Sequence, residues 1–139
     1  MQLHITHTYL LVPEGRAALE AFCATINDLT ALRGPALARG GLHDLVLEPD
    51  PGRCALTFRA RVDTFPYPSL TACIDSAHAL LQLLPMTFFN GTDLGALTMK
   101  VVTEFRDDRH EVVATNHRAL KVLAPVAPSA PQGAPPAAP

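Results

Sequence analysis

Two segments of the chain alternate apolar and polar side chains, and this alternation constrains the fold more than any other feature of the sequence. In residues 53–63 one face carries Cys54, Leu56, Phe58, Ala60 and Val62, and the other carries Thr57, Arg59, Arg61 and Asp63. In residues 3–12 the apolar set is Leu3, Ile5, Tyr9 and Leu11, joined by His7, and the polar set is His4, Thr6 and Thr8. A strand with this period buries one face and exposes the other. Both segments are therefore predicted to be strands of a sheet with one open, polar face.

The rest of the chain predicts two helices and further strands. Apolar residues at three- and four-residue spacing predict a helix that opens after Pro13-Glu14-Gly15 and stops at Gly34-Pro35, with Leu32 on its apolar stripe. A second helix is predicted from a Ser69 cap to Pro85. Strands are predicted at 42–47 and 94–105. Residues 109–123 fit either a returning strand or a helix, and the run Val-Val-Ala-Thr favours the strand.

The order strand, helix, two strands, helix, strand is the βαββαβ order of the split βαβ, ferredoxin-like arrangement. We therefore expect an α+β domain over residues 1–124, with both helices on one face of an antiparallel sheet and one extra C-terminal element. Residues 125–139 are rich in Pro and Ala and hold no aromatic residue. They are predicted to form a disordered tail, because such a segment cannot bury enough apolar surface to fold.

Charge and composition restrict the classes of partner. The net charge of −2 argues against a dedicated nucleic-acid binder, which usually carries a basic surface. The N-terminus does not resemble a signal peptide, and no apolar run approaches the ~20 residues of a membrane helix. The three cysteines are widely spaced, which predicts reduced thiols rather than a metal site or disulfides. We expect a cytoplasmic protein with no membrane partner, no metal and no cofactor.

The open face of the sheet is the candidate site. In the ferredoxin-like order the first and third strands are neighbours, so His4 and Thr6 are expected to lie near Arg59 and Arg61, with Lys100 on the same face. Guanidinium, ammonium and hydroxyl donors together suit a phosphate or a carboxylate. His4 is the candidate catalytic acid or base, and the other four are candidate ligand-binding residues. The alternative is a solvated sheet face with no ligand.

Three functions remain open on the sequence. The first hypothesis is a binding or interaction protein that self-associates or binds a protein partner, since no complete catalytic constellation is present. His4-Ile5-Thr6 matches one His-x-Thr motif of the two-histidine phosphoesterases, but the second motif is missing. The second hypothesis is a small enzyme or ligand-binding domain that holds an anionic small molecule on the polar face. The third is weak contact with a nucleic-acid backbone.

Overall fold

The computed structural model describes residues 1–120, and over this range the predicted α+β class is confirmed. The strands are β1 (Gln2–Leu11), β2 (His43–Asp50), β3 (Ala55–Asp63), β4 (Thr98–Arg106) and β5 (Val112–Ala119). The helices are α1 (Arg16–Cys23), α2 (Ile26–Arg39), α3 (Leu70–Leu81) and α4 (Leu84–Phe88). The predicted tail, residues 125–139, lies outside the described residues. None of the helices in residues 1–120 combines the length and apolarity needed to cross a membrane.

The strands form one antiparallel sheet in the order β2-β3-β1-β4-β5. Strand β1 is central, and its side chains alternate between buried and half-buried along its whole length, as the sequence predicts. Its apolar face joins the buried residues of the helices in one core. Aromatic rings stack edge-to-face in that core, with Phe58 against Tyr9 at 5.5 Å and against Phe88 at 5.4 Å between ring centroids. This geometry is favourable for aromatic pairs.

The first predicted helix is two helices. Both the backbone N–H and Oγ1 of Thr25 donate to the carbonyl oxygen of Phe22, each at 2.9 Å, and these short-range bonds separate α1 from α2. Within α2, Leu32 lies six residues after the buried Ile26, which is about 240° around the helix, and it is 66% exposed. The predicted position of Leu32 was therefore wrong.

The predicted stop at Gly34-Pro35 was also wrong, because α2 continues through both residues to Arg39. Proline disfavours helical backbone in the preceding residue partly through a clash with that residue's Cβ atom, and Gly34 has none. Pro35 itself lacks an N–H, so the helix loses the bond to the carbonyl of Ala31. A glycine before the proline thus explains why the helix tolerates it.

Two residues after the last residue of α2, Arg39, Gly41 has a φ of +108°, which lies in the region that favours glycine. The N–H of Gly41 donates to the carbonyl of Ala38 at 3.0 Å, and that of Leu42 donates to the carbonyl of Leu37 at 2.9 Å. This pair of bonds is the Schellman motif. Leu37 and Leu42 are both buried, which supplies the apolar contact that accompanies the motif.

Two further predictions need correction around the second half of the chain. Pro85 lies in the first turn of α4 instead of ending α3, a position where its missing N–H has no cost. Strand β4 begins at Thr98 rather than Leu94, and Met99 is an extra residue opposite the Leu10–Leu11 step of β1. This bulge turns Thr98 into the core, at 2% exposed, and leaves Met99 45% exposed.

Strand β5 pairs with β4, so the strand interpretation of this segment is confirmed for Val112–Ala119. From Thr115 to Ala119 every residue is exposed, including Asn116 and Arg118, which lie opposite the buried residues of β4 and so point to the helix side. The helices therefore leave Thr115 to Ala119 exposed, although Nη1 of Arg118 donates to Oε1 of Gln82 at the end of α3 at 3.1 Å. Its outer edge has no strand partner within residues 1–120.

Candidate binding cleft on the open sheet face

The open face of the sheet carries a cleft of about 610 Å³ at the end where β1 begins. Its polar lining comes from β1, β3, β4, the start of β2 and the β4–β5 turn. The lining side chains with charge or hydrogen-bonding groups are His4, Thr6, Asp44, Arg59, Arg61, Glu104, Arg106 and His110. A cleft of this size lies within the usual range for small-molecule sites, about 300–1,000 Å³.

The strand register brings His4 and Thr6 next to the two predicted arginines. Thr6 is paired with Arg59 of β3 and with Glu104 of β4. His4 is paired with Arg61 of β3 and with Arg106 of β4. Directly opposite residues of antiparallel strands point to the same face with Cβ atoms about 4.5–5.5 Å apart. Two adjacent rows of the sheet thus form the floor of the cleft.

Each arginine of the cleft already has a carboxylate partner. In all three guanidinium groups the Nε–H group donates to a carboxylate. Arg59 donates to Glu48 at 2.5 Å and Arg61 to Asp44 at 2.7 Å. Arg106 donates to Glu104 at 2.7 Å. These pairs are partly or largely exposed. An exposed ion pair contributes only about 0–1 kcal/mol, so the arginines can take a new partner at small cost.

Lys100 does not join the other predicted site residues. It shares the open face but is paired with Leu10, four positions along β1 from Thr6. At about 3.3 Å per residue, this is roughly 13 Å along the strand. Lys100 therefore lies outside the cleft lining, whereas His4, Thr6, Arg59 and Arg61 are brought together.

The β4–β5 turn completes one wall of the cleft. Oδ1 of Asp107 accepts the backbone N–H of Arg109 at 2.9 Å and that of Glu111 at 3.0 Å. These bonds hold the pKa of Asp107 below its usual value, and the bond from Glu111 has the largest effect. The turn places Asp108 Oδ1 3.3 Å from Nε2 of His4 and the ring of His110 6.1 Å from that of His4.

Sequence reasoning did not assign Asp44, Glu104, Arg106 or His110 to the site. For Arg106 a signal existed, since the alternation through Phe105 puts position 106 on the open face. For Asp44 the sequence carried no such signal, because Asp44 has a φ of +56° and lies where the pairing of β2 with β3 shifts register. A short strand with an irregular pairing gives no readable alternation.

A second polar cluster lies on the helix side of the sheet. His7 is 3% exposed, as its place in the apolar set predicts, and its Nε2 lies 3.0 Å from the hydroxyl of Tyr9. Burial, with smaller electrostatic contributions from His78 and Arg118, lowers the pKa of His7 from 6.5 to about 4. Burial raises the pKa of Tyr9. The two side chains are held in their neutral forms, which suits a structural role in the core.

Comparison with known proteins adds no further constraint. No family model, curated protein or solved structure matches the chain. Among residues 1–120, no three His, Cys, Asp or Glu side chains are grouped so that they could hold a metal ion. Function is therefore argued from the cleft and from the edges of the sheet.

Proposed function

We propose that the protein is a small binding protein that self-associates by pairing its β5 strand with the β5 strand of a second copy. The observation that carries the proposal is the exposure of β5. Its residues from Thr115 to Ala119 are exposed on both faces, and its outer edge has no strand partner within residues 1–120. An uncovered edge offers a row of backbone donors and acceptors to another strand.

The opposite edge of the sheet is protected, which makes β5 the preferred side. Strand β2 contains Pro49, which has no N–H to donate, and Asp44, whose left-handed backbone interrupts the pairing register. Charged side chains also line it, with Glu48 and Asp50 exposed. Proline, irregular backbone and charge are the usual means by which edge strands avoid pairing. In β5 there is no proline, and Arg118 is the one residue with a permanent charge.

The charges of β5 are compatible with antiparallel pairing to itself. A two-fold axis perpendicular to the sheet and passing through Thr115 or Asn116 would set Arg118 opposite an uncharged residue of the second copy. Like charges directly opposite each other would weaken the pair, and this arrangement avoids them. The product would be one continuous sheet with a closed, symmetric interface.

Sedimentation velocity over a wide concentration range tests the proposal. We expect the wild type to dimerise and the double variant Thr115→Lys/Asn116→Lys to remain monomeric, because edge lysines repel across the axis. Val46→Lys on the exposed part of β2 is the matched control and should leave the dimer unchanged. A wild type that stays monomeric at high concentration would overturn the proposal, as would a dimer lost in the Val46 variant but kept in the β5 variant. Circular dichroism establishes that each variant is folded.

The second candidate function is binding of an anionic small molecule in the cleft, with His4 as acid or base if the molecule reacts. It is supported by the convergence of Arg59, Arg61 and Arg106 on one cleft. Addition of acetate should shift the NMR signals of His4, Thr6 and Arg59 and leave Lys100 unaffected. Shifts of equal size at Lys100 would contradict a defined site. Contact with a nucleic-acid backbone has less support, since a net charge of −2 does not provide the broad basic surface that such contact requires.

A more specific fold is also proposed for the sheet and its helices. We infer that the first four strands and their helices form the ferredoxin-like arrangement, with β5 as an added edge strand. The element order and the strand order β2-β3-β1-β4 support this inference. The arrangement leaves one sheet face open, which is where the cleft lies.

A further inference from the structure

We propose that a groove on the helix side of the molecule binds an amphipathic helix of a partner protein. The groove lies between α2 and α4 and continues along α1. It shares no lining residue with the cleft on the open sheet face, and none of its lining comes from β5. Exposed leucines, the backbone of its walls and two charges without partners point to this occupant.

The groove consists of two adjoining cavities, each of about 270 Å³. Both are lined by Phe22, Thr25 and Thr92, so they form one continuous depression. The first extends along α2 to Arg33, and the second extends along α1 to the loop at 91–93. From Thr25 to Arg33 alone the distance is about 12 Å at 1.5 Å per residue. The depression can therefore contact more than two turns of a docked helix.

Two exposed leucines flank the groove. Leu32 is 66% exposed and lies one turn after Leu29, which lines the first cavity. Leu83 is 48% exposed, and its carbonyl oxygen accepts the N–H of the lining residue Thr87 at 3.1 Å and its hydroxyl at 2.9 Å. A single exposed leucine is ordinary, but apolar side chains next to a groove indicate a protein-binding surface. The partner is therefore larger than a molecule that fills the cavities alone.

The walls favour a helical occupant over an extended one. They are formed mainly by helices, which do not offer the row of free N–H and C=O groups that a strand edge offers. The hydroxyls of Thr25 and Thr92 donate to the backbone carbonyls of Phe22 at 2.9 Å and Phe89 at 2.7 Å. An extended segment would bury backbone groups without partners in this groove, at a cost in free energy. A helix bonds its backbone internally and needs only apolar contacts.

Two charges without partners set the direction of the docked helix. Arg33 lines only the first cavity and Asp93 only the second. Neither has an ion-pair partner within residues 1–120. The helix dipole favours acidic residues in the first turn of a helix and basic residues in the last. Such a helix pairs both charges of the groove when its N-terminus lies towards Arg33.

Titration of the full-length protein with a designed peptide, followed by fluorescence anisotropy and NMR, tests the proposal. The peptide has about 16 residues, or about 24 Å of helix, with leucines along one face, glutamates in its first turn and lysines in its last. We expect it to shift the NMR signals of Leu29, Thr87 and Thr92 and to leave Thr6 on the open face unaffected. The same peptide with two central prolines cannot form the helix and should bind about tenfold or more weakly.

Three variants assign the binding to named side chains. Leu32→Gln should weaken binding about fivefold or more, because docking buries Leu32. Phe65→Gln is the matched control and should bind as the wild type does, since Phe65 is 94% exposed and lies outside the groove. Arg33→Glu/Asp93→Lys should prefer a peptide with the two charged turns exchanged, whereas the wild type prefers the original peptide. All four positions are exposed, and circular dichroism establishes that each variant is folded.

Four results would contradict the proposal. No binding of the helical peptide, or equal weakening by Leu32→Gln and Phe65→Gln, overturns the docking site. Equal binding of the proline peptide overturns the helical occupant. Binding to phosphatidylcholine vesicles that is lost in Leu32→Gln assigns the surface to lipid and overturns the protein partner. If the wild type and Arg33→Glu/Asp93→Lys prefer the same peptide, the direction of the docked helix is overturned.

Discussion

The Nδ1 atom of His7 lies 2.7 Å from Oγ1 of Thr103, across the boundary between β1 and β4 and inside the core. Both ring nitrogens of His7 thus have a hydroxyl partner, one in Thr103 and one in Tyr9. A neutral imidazole donates from one nitrogen and accepts at the other, and a hydroxyl can do either. The geometry therefore accommodates the neutral ring, and the first prediction concerns what happens when the ring is protonated.

Acidification should destabilise the protein through His7. The pKa of about 4 in the folded state lies below the value of 6.5 in the unfolded chain, so between these two values the unfolded state binds more protons. The free energy of unfolding should therefore fall as the pH is lowered from 6.5 to 4, by about 3 kcal/mol in total. Urea denaturation at a series of pH values measures it. His7→Phe should lack this part of the pH dependence, and a His7 ring that titrates near pH 6.5 in folded protein would refute the prediction.

Tyr9→Phe should destabilise the core by about 1–3 kcal/mol, the cost of leaving a buried polar group without its partner. Tyr9 is 3% exposed, so water cannot replace its hydroxyl next to Nε2 of His7. Tyr67→Phe is the matched control, because the hydroxyl of Tyr67 bonds Oγ of Ser76 at 3.1 Å in a half-buried position. Chemical denaturation should give a clearly smaller change for Tyr67. Equal changes would mean that the His7 partnership contributes nothing specific.

Ser69→Ala should destabilise α3. The Ser69 hydroxyl accepts the backbone N–H of Ala72 at 3.1 Å, as the sequence predicts for a helix cap. Loss of such a cap costs about 0.5–2 kcal/mol, which urea denaturation detects. Ser69→Asp keeps an acceptor at the cap and should retain most of the stability, while Thr71→Ala removes an exposed hydroxyl that makes no cap. A Thr71 variant as unstable as the Ser69 variant would contradict the assignment.

Pro35→Ala should stabilise the protein by about 1–3 kcal/mol, because it restores a backbone hydrogen bond inside α2. Gly34→Ala alone should give little or no gain in stability, because the added Cβ meets the ring of Pro35. Apart from the neighbouring residues, nothing lies within 4 Å of that Cβ. In the Pro35→Ala background the same change should add about 0.5–1 kcal/mol. Equal effects of Gly34→Ala in the two backgrounds, measured by thermal unfolding, would contradict this explanation of how α2 passes the proline.

The sequence predicts which face of the sheet a side chain occupies better than it predicts which side chains of other strands lie next to it. Strict alternation is enough to send Arg59 and Arg61 to the open face and His7 to the core, because side-chain direction in a strand depends only on parity. The partners depend on register between strands far apart in sequence. The bulge at Met99, the irregular start of β2 at Asp44 and the placing of Lys100 beyond the cleft all come from register, and alternation within one strand contains no information on it.

The helix errors have a different origin. Helical periodicity identifies apolar stripes, but it does not reveal that local hydrogen bonds of Thr25 interrupt a helix. Nor does it reveal that a helix can continue through Pro35 when the preceding residue is Gly34. Both effects depend on contacts of a few atoms near one residue, which periodicity does not describe. The usual rule that a Gly-Pro pair ends a helix gives the wrong result here. Where a single cap decides the boundary, as at Ser69, the sequence is sufficient.

The central place of β1 has a consequence for how the chain folds. Strand β1 is synthesised long before its partner β4, since His7 and Thr103 are 96 positions apart. Pairing at such separation raises contact order and slows folding. Until β4 is synthesised, one side of β1 stays open to pairing with strands of other nascent chains. Strand β1 is therefore expected to be the strand most in need of protection until β4 has been synthesised.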